Sequence, residues 1–385
     1  MDEILIDTTR LLGRYMKGRL PTGVDRVCLA YIRHFARRAR VVVRAGRRSA
    51  VLSRSASERL FDGLLNPSSK FYLTPLRLIG KEALCIRSRR KLSGSFLFNT
   101  GHSGLELQDY SLRLRRRGVK PICMVHDLIP ITNPEYCRAG ERDKHIVRMN
   151  NVLLSSGVIA NSQATLDELR YFADKAGLSL PPAVVSHLAP AVLPPPSSKR
   201  PMASPYFVVL GTIEPRKNHL MLLQVWRKII GHMGGNAPRL VVIGQRGWEC
   251  KNIMDSLNCD KLRGFVTKLS ACPDADLATY LKHAQALLFP SFAEGYGLPL
   301  VESLSLHAPV IASDLPVFRE IAGDIPDYIC PRDEVGWMKH IESFTAPDAP
   351  ERVAQLNRMS KFVCPSWLTH FEAVEDMLEQ LSHVH

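Results

Sequence analysis

The sequence predicts an α/β protein built as two Rossmann-like domains facing across a cleft, and three observations carry that expectation. At 385 residues the chain is long enough for two domains that each bury a core. Short β-rich runs alternate with helical stretches along both halves, the pattern of parallel α/β layers. Between the halves lies 189-APAVLPPPSSKRPMASP-205, with six prolines in seventeen positions, which is a linker composition.

The elements follow in order. Strands are expected near 3-EILID-7, 40-RVVVR-44, 95-SFLFN-99, 121-PICMVH-126, 157-GVIAN-161 and 183-AVVSH-187. Helices lie between them, including 24-VDRVCLAYIRHFARR-38 and 163-QATLDELRYFADKA-176, the latter with Ser162 as N-cap. The second half repeats the plan, with strands near 206-YFVVL-210, 239-RLVVIG-244, 263-RGFV-266, 286-ALLFP-290 and 309-PVIAS-313. Its helices include 219-HLMLLQVWRKII-230, 276-DLATYLKHA-284 and 299-PLVESLSL-306. An amphipathic helix, 366-SWLTHFEAVEDMLEQL-381, follows Pro365. The domains are placed at residues 1–196 and at residues 197–365.

Hydrophobic residues make up 45% and charged residues 23%, as in soluble globular proteins. No apolar run approaches the roughly 18–20 residues that span a bilayer. The start, MDEILIDTTRLLG, is acidic and lacks a cationic n-region, so a cytoplasmic location is expected. Nine scattered cysteines without a CxxC pair read as free thiols rather than a disulfide framework or a zinc site. Charge is uneven: residues 1–200 carry 34 Lys and Arg against 16 Asp and Glu, while the rest is close to neutral. Three basic clusters stand out in that half, 33-RHFARRARVVVRAGRR-48, 87-RSRRK-91 and 113-RLRRRGVK-120. They suit an anionic partner, and a peripheral dock on an anionic cytoplasmic membrane face is expected. Nucleic acid is not, because the basic half lacks an aromatic–basic platform.

The chemistry concentrates in 289-FPSFAEGYGLPLVESL-304. It reads as the end of a strand, a glycine-rich loop and a helix opened by Pro299. Such a loop offers backbone N–H groups and the positive end of a helix dipole to a phosphate. Glu294 lies in the loop, and Glu302 is expected in the first helical turn. Both suit one ligand with a phosphate in its middle and hydroxyls on either side, the shape of a nucleotide-sugar. Upstream, 211-GTIEPRKN-218 follows a strand, and its Arg216–Lys217 pair suits a diphosphate at the strand's carboxyl end.

These motifs, with 246-RGWE-249 and 309-PVIASDLPVFREIAGD-324, occur in one order at which the chain resembles the retaining glycosyltransferases of the GT-B fold, glycosyltransferase family 4. The likeness covers residues 206–324 and extends more loosely to 22-TGVDRV-27 and 125-VHDLIP-130. The final helix looks like the family's crossover helix, which implies that 366–385 returns to the N-terminal domain. It implies that Glu294 faces the donor sugar and Glu302 the ribose hydroxyls. It implies that Gly211, Thr212, Gly295, Tyr296, Gly297 and Leu298 line the donor, while Arg216 and Lys217 neutralise the departing diphosphate. His126 would contact the sugar from the N-terminal domain, and Gly23 would allow a close backbone approach to donor or acceptor. No cofactor or metal is expected. Asp274-Ala275-Asp276 has the form of a metal-binding D-x-D but opens a helix, where acids oppose the dipole.

Two departures from the family pattern matter. Thr212 stands where many members carry an arginine, and His307 replaces a glycine after the Glu302 helix, which calls for a strained or reshaped turn. The TIEPRKNH variant is similar to that of bacterial mannosyltransferases of O-antigen or capsular polysaccharide synthesis. That implies GDP-mannose as donor, with other GDP-, UDP- or dTDP-sugars open. The acceptor would be a glycan or a polyprenyl-diphosphate-linked glycan.

Overall fold

A computed structural model describes residues 3–19, 21–67, 92–346 and 348–383. The basic cluster 87–91 lies outside the described residues, apart from which the sequence-derived sites can all be located. Contacts divide the chain into two compact units, one of residues 1–132, 139–188 and 367–385, the other of residues 133–138 and 189–366.

The first unit is built on a seven-stranded sheet in the order β3-β2-β1-β4-β5-β6-β7. Its strands are β1 (Ile4–Asp7), β2 (Ala39–Ala45), β3 (Arg48–Val51), β4 (Phe96–Asn99), β5 (Lys120–Val125), β6 (Gly157–Ala160) and β7 (Ala183–Val185). All neighbours pair in parallel except β3, which runs antiparallel on β2. Ile4, Leu5 and Ile6 are all buried, as are Phe96, Leu97 and Phe98, so these strands are covered on both faces. The helix Gly23–Phe35 starts in a capping box, with Thr22 donating from both its N–H and its hydroxyl to Asp25 Oδ2 at 2.7 Å. Ser162 caps Gln163–Ala176 by accepting from Thr165 N at 3.0 Å, and Gly177, at φ 65°, ends that helix.

The last helix, Trp367–His383, belongs to this unit although 178 residues separate it from Leu188. Its inward face supplies Phe371 to a cluster with Tyr31, Phe35 and Phe98, the Tyr31 ring lying 5.1 Å from both Phe98 and Phe371. His370 Nε2 meets Tyr31 Oη at 3.0 Å, and Ser186 Oγ donates to the His370 carbonyl at 3.0 Å. The amphipathic period seen in the sequence is thus spent on closing the first unit's core.

The second unit holds a six-stranded, all-parallel sheet in the order β10-β9-β8-β11-β12-β13. Its strands are β8 (Tyr206–Leu210), β9 (Arg239–Ile243), β10 (Val266–Leu269), β11 (Leu287–Phe289), β12 (Val310–Ser313) and β13 (Asp327–Ile329). Phe207, Trp226, Leu240, Trp337 and Phe344 are buried in its core. The segment 133–138 is part of this unit, and the Tyr136 ring stacks parallel on Phe292 at 4.7 Å.

Three expectations are corrected. The strand set at 263–266 begins only at Val266, because Gly264 takes φ 78° in a turn that follows the short helix Asp260–Leu262. Strands β3 and β13 are missing from the sequence reading, as both are short pieces of mixed polarity at sheet edges. The helix after the glycine loop begins at Leu298 rather than Pro299, so Glu302 falls in its second turn. Asp274 and Asp276 do lie in the first turn of the helix Asp274–His283.

Candidate functional site

In each sheet the order of strands reverses at one place. In the second unit the chain goes from β8 to β9 and β10 on one side, then crosses to β11 on the other. Loops leaving the carboxyl ends of β8 and β11 therefore diverge and leave a crevice, the usual ligand position in an open α/β sheet. The motifs singled out in the sequence sit there.

Gly211 directly follows β8, and its φ of 145° favours glycine. A Cβ on neighbouring Gly244, just after β9, would lie 1.9 Å from the Gly211 carbonyl oxygen, so the two strand ends need glycine to approach this closely. Chain pairing continues past them: Ile213 N donates to Gln245 O at 2.9 Å and Gly247 N to Ile213 O at 3.0 Å. The 246–249 motif thus serves to hold the 211–214 loop. A single turn of 3-10 helix, Pro215–Lys217, then presents Arg216 and Lys217, and Asn218 at φ 56° turns the chain into the helix His219–Met233.

The loop after β11 comes to meet it. Phe292 N donates to the Arg216 carbonyl at 2.9 Å. Glu294 then divides its carboxylate between the two cations. Oε1 lies 2.5 Å from Lys217 Nζ, and Oε2 lies 2.9 Å from Arg216 Nη1. Arg216 also donates to the Ala293 carbonyl at 2.5 Å and through Nη2 to Glu214 Oε1 at 2.9 Å. Lys217 Nζ lies 4.9 Å from the Phe289 ring centroid. The side chains of Glu294 and Lys217 are 9% and 11% exposed, so the pair works in a poorly solvated setting.

Burial pushes the Glu294 carboxyl up, but the Arg216 and Lys217 charges outweigh it and hold it at about 2. Burial also lowers Lys217, and Glu294 opposes that shift. His219, buried behind Lys217, is lowered to about 4 by burial and then by the Lys217 charge.

Gly297, at φ 111°, precedes the helix Leu298–Ser305, and a Cβ there would lie 2.7 Å from Phe318 Cε1. The glycine is required twice over, by its conformation and by the aromatic ring against it. Tyr296 is buried, Gly295 and Leu298 are half-buried, and Thr212 is exposed. Glu302 is only 6% exposed and projects from the second helical turn. Of the second-unit residues singled out in the sequence, the structure brings Gly211, Arg216, Lys217 and Glu294 into direct proximity.

The first unit reverses its strand order between β1 and β4. At their carboxyl ends Asp7 Oδ2 pairs with Arg44 Nη2 at 3.3 Å, and Arg44 also donates to Tyr110 Oη at 2.8 Å. His126 follows β5, with Nε2 2.7 Å from the Thr100 carbonyl. His102 Nε2 meets the Met124 carbonyl at 2.8 Å and His145 Nε2 the Asp127 carbonyl at 3.1 Å. A carbonyl oxygen only accepts, so each of the three rings carries its proton on Nε2. Burial lowers all three histidines, and it takes His102 well below its ordinary range. The cluster is a set of neutral imidazoles. Nearby Glu168 is pushed up to about 7 by burial and by Asp127.

Gly23 lies after the helix Thr9–Tyr15 rather than directly behind β1, and it is the first residue of a helix in ordinary helical conformation. Asp25, 1% exposed, instead organises this corner through Arg10 Nε at 3.3 Å and Arg14 Nε at 2.8 Å. Among the described residues no group of three or more His, Cys, Asp or Glu side chains is placed to hold a metal ion.

The sequence reading passed over Asp7, Asn99, His102, His145, Asn161 and Glu214. A usable signal was present for three of them. Asp7, Asn99 and Asn161 are polar residues ending or directly following apolar strand runs, where an open sheet presents its ligand edge.

Residues 195–334 match the family described as Glycosyl transferases group 1. The serotype-specific mannosyltransferase WbdA of Escherichia coli is 28% identical over 319 residues, covering 73% of this chain and 36% of the relative. The O-antigen chain mannosyltransferase B of Escherichia coli is 30% identical over 162 residues, or 42% of each chain. The chain thus spans about a third of the length of the first of these relatives. Among solved structures, Anabaena Alr3699/HepE in complex with UDP and glucose aligns with a TM-score of 0.68 at 15% identity, covering 99% of this chain and 100% of that one. That likeness shows the fold.

Proposed function

We propose, from the match of residues 195–334 to the glycosyl transferases group 1 family and from the GT-B fold, that the chain is a retaining sugar transferase. It moves a hexose, mannose from GDP-mannose in the first instance, to a glycan or polyprenyl-diphosphate-linked acceptor in surface polysaccharide synthesis. The observation that carries this reading is the meeting of Arg216, Lys217 and Glu294 at the point where the second sheet reverses its strand order. The choice of mannose and of an O-antigen setting is supported by the names of the relatives, both called mannosyltransferases.

Glycosyl transfer leaves a nucleoside diphosphate, and its charge has to be met by something already in place. Arg216 and Lys217 meet it here, aided by the N-terminus of the helix Leu298–Ser305. The diphosphate competes with Glu294 for the same two cations, so binding loosens the Glu294 carboxylate and turns it toward the sugar. Glu302 holds the ribose hydroxyls. The anomeric carbon develops oxocarbenium character, and the leaving phosphate takes the acceptor's proton from the same face. His126, as a neutral imidazole at the ligand edge of the first unit, offers hydrogen bonding to a sugar hydroxyl without adding charge. The chemistry needs no metal in this scheme.

The basic first unit docks on an anionic cytoplasmic membrane face, where lipid-linked acceptors are found. Among the described residues no helix is long and apolar enough to cross a membrane. A donor screen tests the catalytic reading. Release of nucleoside diphosphate should be fastest from GDP-mannose across a panel of GDP-, UDP- and dTDP-sugars, and release from none of them would overturn it.

A further inference from the structure

The first unit has a second concave site, at the opposite edge of its sheet from the histidine cluster. It is a cavity of about 560 Å³ at the amino ends of β5, β6 and β7, closed on one side by the C-terminal helix through Leu381. Such a volume lies in the range of small-molecule sites. Its wall includes two cations, Arg115 and Lys120, the hydroxyls of Ser156 and Ser179, and the apolar side chains of Leu180 and Leu381. Among the described residues no acidic side chain lines it. The acids on the helices that end beside it, Asp174 and Glu379, are both exposed.

Lys120 is half-buried and tethered, while Arg115 is exposed at the rim. Lys120 Nζ donates to the Leu381 carbonyl at 2.9 Å and lies 5.2 Å from the Phe96 ring centroid. Arg115 ends the helix Tyr110–Arg115 and reaches the Leu154 carbonyl at 3.5 Å. Beyond it Arg116 and Arg117 are exposed, and the chain turns back at Gly118, φ 75°, into β5. The third arginine-rich cluster of the sequence is therefore the rim of a pocket, and its charge is concentrated around a concave, acid-free space.

We propose that this pocket takes the phosphate of an anionic phospholipid headgroup, with Arg115 and Lys120 on the phosphate, Ser156 and Ser179 on its free oxygens or glycerol hydroxyls, and Arg116 and Arg117 over neighbouring lipids. This rests on the membrane docking proposed above and turns a diffuse attraction into a defined site. It also fixes an orientation for the first unit: the amino edge of its sheet faces the bilayer, and the ligand edge faces away. A growing glycan whose far end stands off the membrane fits that geometry.

Sedimentation with vesicles of phosphatidylglycerol in phosphatidylcholine, at one moderate ionic strength, tests it on the full chain. Ser179→Glu and Arg115→Gln each lower the charge of the pocket, and Lys144→Gln removes a charge from an exposed helix elsewhere in the same unit. The expected result is at least fivefold weaker vesicle binding for both pocket variants and less than twofold for Lys144→Gln, with nucleoside diphosphate release unchanged in all three. Equal binding by all three variants would overturn the pocket while leaving membrane docking and catalysis in place. Failure of the unaltered chain to bind these vesicles would overturn the docking itself. Soluble glycerol phosphate is the remaining arm: if it binds as tightly as the vesicles do, the occupant is a free phosphate ester and the lipid assignment is wrong.

Discussion

Lys217 and Glu294 stand 77 positions apart in sequence and 2.5 Å apart in space, with side chains about one-tenth exposed. With Arg216 they form a triad in which one carboxylate serves two cations. With Glu214 also paired to Arg216, two carboxylates balance the two cations, and neither cation is left buried and alone. Taking charges out of water is costly, and it is tolerated where partners and hydrogen bonds compensate. A ligand diphosphate brings more negative charge than a single carboxylate, so it has an electrostatic advantage in the exchange.

Lys217→Ala and Glu294→Gln should each lower turnover at least tenfold. The two differ in stability. Removing the lysine leaves Arg216 to neutralise Glu294, while Glu294→Gln leaves Lys217 buried beside Arg216 with its main counter-charge gone. Breaking a buried pair from one side costs roughly 3 kcal/mol, and the larger loss is expected for Glu294→Gln. Nucleoside diphosphate release and urea melts measure the two effects, and wild-type turnover in both variants would remove the proposed mechanism.

Gly297→Ala should cost more than about 1 kcal/mol, because an L-residue at φ 111° is strained and its Cβ meets Phe318 Cε1 at 2.7 Å. Relief requires either the helix Leu298–Ser305 or the Phe318 ring to shift, and the first displaces the backbone that faces the donor. A raised KM for the nucleotide-sugar should therefore accompany the lower urea midpoint. A midpoint equal to that of the parent chain would contradict both arguments.

The second unit was far more legible in the sequence than the first. Its central strands are apolar runs, and its chemistry is packed into short stretches such as GTIEPRKN and FAEGYGLPLVES, so local order already implies proximity. Even so, the triad was not readable. Nothing in the sequence says that Glu294 bridges Arg216 and Lys217, because that depends on β11 lying next to β8 after the chain has crossed the sheet. In the first unit the polar residues at the ligand edge come singly: Asp7 and Asn99 end strands, His102 lies in the loop after β4, and His145 sits on the helix Glu141–Leu153. Only the fold gathers them. The edge strand β3 was missed because RSAV carries no apolar period of its own and is held by pairing with β2.

Acid should destabilise the chain in two stages. His370 is lowered to about 4, by burial first, and so is His219. A histidine whose folded value is depressed contributes fully above its unfolded value near 6.5, and the contribution is lost as pH falls from there toward 4. A shift of that size corresponds to about 3 kcal/mol for each residue. Glu294, depressed to about 2, adds a contribution that is complete above about 4.5 and fades below it. His370→Gln should flatten the dependence of Tm on pH between 6.5 and 4 while leaving the steeper fall below 4.5. An unaltered slope in the upper window would show that His370 is not titrating there.

His307→Gly should stabilise the second unit by about 0.5–1 kcal/mol. The helix Leu298–Ser305 ends in paired bonds from His307 N to Leu304 O and from Ala308 N to Ser303 O, both at 3.0 Å. That is the Schellman pattern, in which the residue after the cap takes a left-handed conformation and is most often glycine. His307 takes it at φ 56°, with its side chain exposed. The conformation costs an L-residue roughly 1–2 kcal/mol, and glycine removes that cost while adding freedom to the unfolded chain, so the net gain is smaller than the strain. Because Glu302 lies on the same helix, a firmer C-terminus should leave donor affinity unchanged or tighter. A urea midpoint that rises with an unchanged m-value is the expected result, and a lower midpoint would mean that the imidazole makes a contribution there larger than the strain it bears.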